Sequence, residues 1–173
     1  MMLAMGRLAT GLAAILLVTA CSQTSTAGAD SASALPPLDN DIEKPQLALA
    51  DHVLGNYFAS DLSMRPTVCI ATTDGRGEVA LEQGMELELM TRYPGLAPFS
   101  RCALLDSSWQ DTDTGDAAMV FSLHTFTCTT ANSCSGFSHY MFGKETSPAS
   151  RYQLDWGGKR WVFTRDDPRA GEQ

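Results

Sequence analysis

Five cysteines and three histidines are the side chains of this chain with the widest chemical reach. Cys69, Cys102, Cys128 and Cys134 could hold zinc or form disulfides. No pair has the two-to-four-residue spacing of structural zinc sites, so the spacing points to disulfides. Cys128 and Cys134 bracket the five-residue polar loop Thr129–Ser133 between two strand-like segments, which predicts a bridge that staples a hairpin. Cys69 with Cys102 follows by elimination and would tie an early strand to the later ones. Cys21 is then left without a partner.

The remaining candidates carry weaker chemistry. Asp111-Thr-Asp113-Thr-Gly115-Asp116 has the look of a calcium loop, but Gly115 falls at its fifth position and Ser122 at its twelfth, where a glutamate would be needed. An acidic hairpin turn accounts for it better, and no metal is expected. Ser138 in Gly136-Phe-Ser-His-Tyr140 lacks the second glycine of a nucleophile elbow and sits in a strand-like segment. His52, His124 and His139 have no motif spacing with carboxylates. If Cys128 faces Cys134 with no bulge, His124 faces Ser138 and Leu123 faces His139. Side chains alternate along a strand, so that register puts the two histidines on opposite faces of the sheet. No catalytic residue and no cofactor are predicted.

Cys21 gains its meaning from what precedes it. A basic residue, Arg7, leads into the apolar run Leu8–Val18, and the small residues Thr19 and Ala20 end on the cysteine. That order is a secretory signal. A spanning helix would need about 20 apolar residues, whereas this run is broken by Thr10 and Gly11. Val18-Thr19-Ala20-Cys21 resembles the lipobox of bacterial lipoproteins. The resemblance implies cleavage before Cys21, a diacylglyceryl group on its sulfur and an acyl group on its nitrogen. Export would also place the other cysteines where disulfides persist. Ser22, a residue other than Asp at the sorting position, implies the outer membrane, facing the periplasm. Met5 could start translation as well as Met1.

Composition narrows the partners. The formal net charge is −8, and loss of Arg7 on processing takes it to −9. With no run of Lys or Arg, the chain would be repelled by phosphate backbones, so nucleic acid is excluded as a partner. Membrane attachment then falls to the acyl chains on Cys21, since two or more chains anchor stably where one does not.

The elements that must position these residues follow from patterning. Residues 1–20 are the signal peptide, 21–45 a lipidated start and flexible tether, 46–167 one domain, and 168–173 a disordered tail. The 24 residues from Ser22 to Pro45 hold almost no large apolar side chains and, as a coil, span about 25–30 Å. Leu47, Ala50, Leu54 and Tyr57 recur at helical spacing over Gln46–Ser60, and Arg65-Pro66 ends the helix. Thr67–Thr72 reads as a strand with Asp74-Gly75 as its turn, and residues 83–93 as a second helix. Strands are predicted at Cys102–Trp109, Ala118–Cys128, Gly136–Gly143, Arg151–Trp156 and Arg160–Arg165. A two-residue Gly157-Gly158 turn would pair Trp156 with Lys159, Leu154 with Trp161, Tyr152 with Phe163 and Asp155 with Arg160.

The predicted class is α+β, with one or two helices packed on an antiparallel meander of about five or six strands. Over residues 46–165 this element order is similar to the nuclear-transport-factor-like, or cystatin-like, cone. Three functions fit. The first is a non-enzymatic envelope lipoprotein, an interaction or accessory module whose protein partner the residues do not name. The second is a small-ligand binder or enzyme using the inside of a cone-shaped sheet. The third is an inhibitor of a periplasmic enzyme.

Overall fold

The structure is a computed structural model and describes residues 35–166. The expected signal peptide, Cys21, the first part of the tether and the tail lie outside the described residues.

Helix α1, Pro45–Phe58, opens with proline in its first turn, where the missing N–H leaves no bond unmade. Leu47, Ala50 and Leu54 form its buried stripe, with Leu49 and Val53 beside them. Strand β1, Thr67–Thr73, follows and turns back into β2, Glu78–Ala80. Helix α2, Gln83–Arg92, resolves the Leu/Glu/Met segment as helical and buries Leu89. Next come β3, Cys102–Leu105, and β4, Ser108–Asp111, and then the long strands β5, Ala118–Thr130, and β6, Ser133–Phe142. The short β7, Glu145–Thr146, precedes β8, Ser150–Trp156, and β9, Trp161–Asp166.

The main sheet has the order β2-β1-β5-β6-β8-β9, with β7 paired to β6. β5, β6, β8 and β9 make the antiparallel meander expected of the α+β class. β1 adds a parallel neighbour, with Val68 beside Met119 and Ile70 beside Phe121, so the sheet is mixed. Strand β1 and the first half of β5, Ala118 to Leu123, are buried on both faces, and their largely apolar runs reflect it. On one face Val68, Ile70, Phe121 and Leu123 pack under α1. On the other, Cys69, Ala71, Val120 and Met141 pack against Cys102 and Trp109 of the β3–β4 hairpin. Strand β8 alternates buried and exposed residues because only its α1 face is covered.

Three expectations are corrected. Cys102–Trp109 is not one strand: Asp106 and Ser107, both at positive φ (50° and 61°), fold it into the β3–β4 hairpin. The β8–β9 loop holds four residues, not two, and pairs Trp156 with Trp161, Leu154 with Phe163 and Asp155 with Val162. A shift of two keeps every side chain on its expected face. It sets the indoles of Trp156 and Trp161 edge to face, 5.5 Å apart, and leaves Lys159 and Arg160 to solvent. The ordered domain also starts before Gln46. Leu38 is buried in the main core, and the Asp41 carbonyl accepts a bond from Trp161 Nε1 at 2.9 Å.

Both disulfides join the pairs expected. Cys69–Cys102 fastens the β3–β4 hairpin to β1, and Cys128–Cys134 closes the β5–β6 hairpin. Among the described residues, no helix is long and apolar enough to cross a membrane.

Candidate functional site: a groove between helix α1 and the sheet

A groove of about 620 Å³ opens between the second half of α1 and the strands beneath it. Val53, Asn56 and Tyr57 form its helical wall, while Met119 and Phe121 of β5 form an apolar floor. Ser138 of β6 lies directly opposite Ser150 of β8 in the ladder, and both are buried. These two small side chains leave more room in the groove than larger residues would. The lip is Ser147–Ala149, and Tyr152 and Arg165 close the far side.

The polar groups here are hydroxyls, an amide, the His139 imidazole and one guanidinium. Arg165 Nε donates to Ser150 Oγ at 3.0 Å, which holds the cation at the rim. Asn56 Nδ2 lies 3.2 Å from His52 Nε2, and the His52 ring stacks on Phe163 at 4.3 Å. The Tyr57 ring meets Phe121 edge to face at 5.2 Å, and its hydroxyl is buried with no hydrogen-bond partner. Burial pushes the Tyr57 phenol above its ordinary value, against the pull of Arg65. Burial raises Tyr152 likewise, against Arg165. Both phenols are therefore protonated donors at neutral pH. Leaving such a donor unpaired costs about 1–3 kcal/mol.

The other residues singled out by type are placed as follows. Asp111 is no calcium ligand: it is fully buried and its carboxylate already has four donors. Arg101 gives Nε at 2.9 Å and a terminal nitrogen at 2.7 Å, Thr67 gives its hydroxyl at 2.6 Å, and Asp113 its backbone N–H at 2.9 Å. The Arg101 bond, then the Thr67 bond, holds this carboxyl well below the usual range. Asp111 thus ties β4 to β1. Ser138 is a strand residue in the groove wall, away from any strand-to-helix turn. His52 faces the groove side of the domain, and burial lowers its pKa despite Asp51 and Asp39.

The two remaining histidines overturn the expected register. Cys128 does face Cys134, but a bulge between His124 and Thr127 shifts the ladder by one. His124 then faces Phe137, Leu123 faces Ser138, and Ser122 faces His139. The histidines therefore share a face, with ring centres 5.3 Å apart. The cause lies at Phe126, which the bulge turns toward α1 and over Gly136. A Cβ at Gly136 would come within 2.7 Å of the Phe126 ring.

Sequence reasoning found the strands that line the groove but not the groove itself. Its walls come from segments some hundred residues apart. Comparison with family models, curated proteins and solved structures gave no match.

Proposed function

We propose that this protein is a lipid-anchored, non-enzymatic accessory module of the bacterial envelope, and that its domain holds a small amphipathic molecule in the groove. The lipobox-like Val18-Thr19-Ala20-Cys21 supports the anchor, with outer-membrane placement facing the periplasm following from Ser22. The observation that carries the binding role is the unpartnered Tyr57 hydroxyl beside an apolar floor. Pockets of this size, apolar with a few convergent polar groups, are where small ligands bind. A ligand oxygen that accepts from Tyr57 recovers the cost of the buried donor, and Arg165 at the rim favours an acidic head. The groove's lining residues include the His139 imidazole but no carboxylate to orient it, which favours binding over hydrolytic work.

The test is displacement of anilinonaphthalene sulfonate, an apolar anion, by dodecanoate and by dodecanol. Dodecanoate should compete and dodecanol should compete less well. Tyr57→Phe should weaken dodecanoate about two- to tenfold, the worth of one hydrogen bond. Filling the groove with Ser138→Leu and Ser150→Leu together should abolish binding in a chain that still unfolds cooperatively. Undiminished binding by that filled variant would overturn the proposal.

A further inference from the structure

A second arrangement adjoins the groove at His139, which is among the groove-lining residues, and reaches to His124, which is not. We propose that His124 and His139 form a two-imidazole site for a divalent transition-metal ion of the zinc or copper type.

The bulge after His124 is what creates it. Thr125, at φ 52°, takes up the extra residue, and without it the two rings would lie on opposite faces. The rings meet at 67° with centres 5.3 Å apart. Two imidazoles sharing one tetrahedral ion, each about 2.0–2.1 Å from it through nitrogen, have ring centres about 5 Å apart. The observed separation of the ring centres matches that spacing.

The surroundings hold the ligands and favour a cation. His124 stacks on Phe137 with centres 5.4 Å apart, and its Nδ1 lies 3.2 Å from Thr125 Oγ1. In the tautomer whose Nδ1–H donates to Thr125 Oγ1, Nε2 is the ligand nitrogen. Glu78 lies close enough to His139 to favour positive charge there, and it accepts a bond from Ser122 Oγ at 3.4 Å. Burial, and next His124, lower the pKa of His139, so its lone pair is free near neutral pH. Both rings are half-buried and reachable from solvent. Among the described residues no three of His, Cys, Asp and Glu converge on one point. The protein therefore supplies two ligands and leaves the other positions to water or a partner's side chain. Imidazole suits zinc and copper, and Cu²⁺ should bind the tighter of the two.

The experiment titrates ZnCl₂ and CuSO₄ into the full chain carrying Cys21→Ser, so that no unpaired thiol competes for metal. Calorimetry should give one equivalent bound. Zinc should move the imidazole NMR signals of His124 and His139 and leave those of His52 unchanged. His124→Gln and His139→Gln should each lower the affinity at least tenfold, and affinity should fall toward acid pH as protons compete for the ligand nitrogens. His124→Asn, at the less constrained position, repeats the test should either glutamine variant unfold. Wild-type affinity in a folded variant, or zinc shifts centred elsewhere, would overturn the proposal. Dodecanoate displacement in the groove should be unchanged in His124→Gln, whose residue lies outside the groove lining, so this proposal and the preceding one stand or fall separately.

Discussion

Thr125 sits in the left-handed region at φ 52°, a conformation that a β-branched side chain resists. Such a residue costs on the order of 1–3 kcal/mol and persists only where its surroundings over-determine it. Phe126 supplies that determination by packing over Gly136 against Leu49. The consequence for His139 is electrostatic. Burial, then the neighbouring His124, lower its pKa from the ordinary 6.5, while Glu78 opposes them. Just below pH 6.5 the unfolded chain therefore binds more protons than the folded one. Stability should be complete above that value and be lost as pH falls toward the lowered value of the folded state. Urea unfolding at pH 7.5 and 5.5 checks this. His139→Gln should reduce the pH dependence, and an unaltered slope would exclude the assignment. His52 contributes in the same direction and remains in the variant.

The β3–β4 hairpin shows how an element can escape notice. Asp106 and Ser107 both take positive φ, the requirement of the tight two-residue turn, yet neither is Gly or Asn. Alternation alone therefore reads through the turn and yields a single strand. What holds the turn is its surroundings: Trp109 packs in the second core, and Cys102 is bonded to Cys69. Ser107→Gly removes the steric penalty at φ 61° and should stabilise the domain by up to about 1 kcal/mol. Chemical denaturation measures it, and a loss of stability would show that Ser107 is not strained. The Cys69–Cys102 bridge spans 33 residues and the Cys128–Cys134 bridge only 6. By loop-closure entropy the first contributes about 3–4 kcal/mol and the second about 2. The larger share thus goes to the bond that seats the small hairpin on the sheet.

At the scale of the whole molecule, the proposed anchor and the folded domain are separate problems of physical chemistry. Cys21→Ser should leave the precursor unacylated, and either uncut or released as a soluble protein. A fatty-acid probe incorporated in cells reads this directly, and label on the variant would reject the lipoprotein assignment. The domain's α+β class, its two helices, its meander and both disulfide partnerships were legible in the chain because each follows from local periodicity or from cysteine arithmetic. Only the tertiary structure decided the rest. β1 joins β5 in parallel across about fifty intervening residues, and no local pattern encodes a pairing so distant. One extra residue at Thr125, selected by the fit of Phe126 over Gly136, reversed the faces of everything counted through it. The groove exists because two serines on neighbouring strands came to lie under one helix. Volume left unfilled is a property of packing, and packing is settled only when distant segments meet.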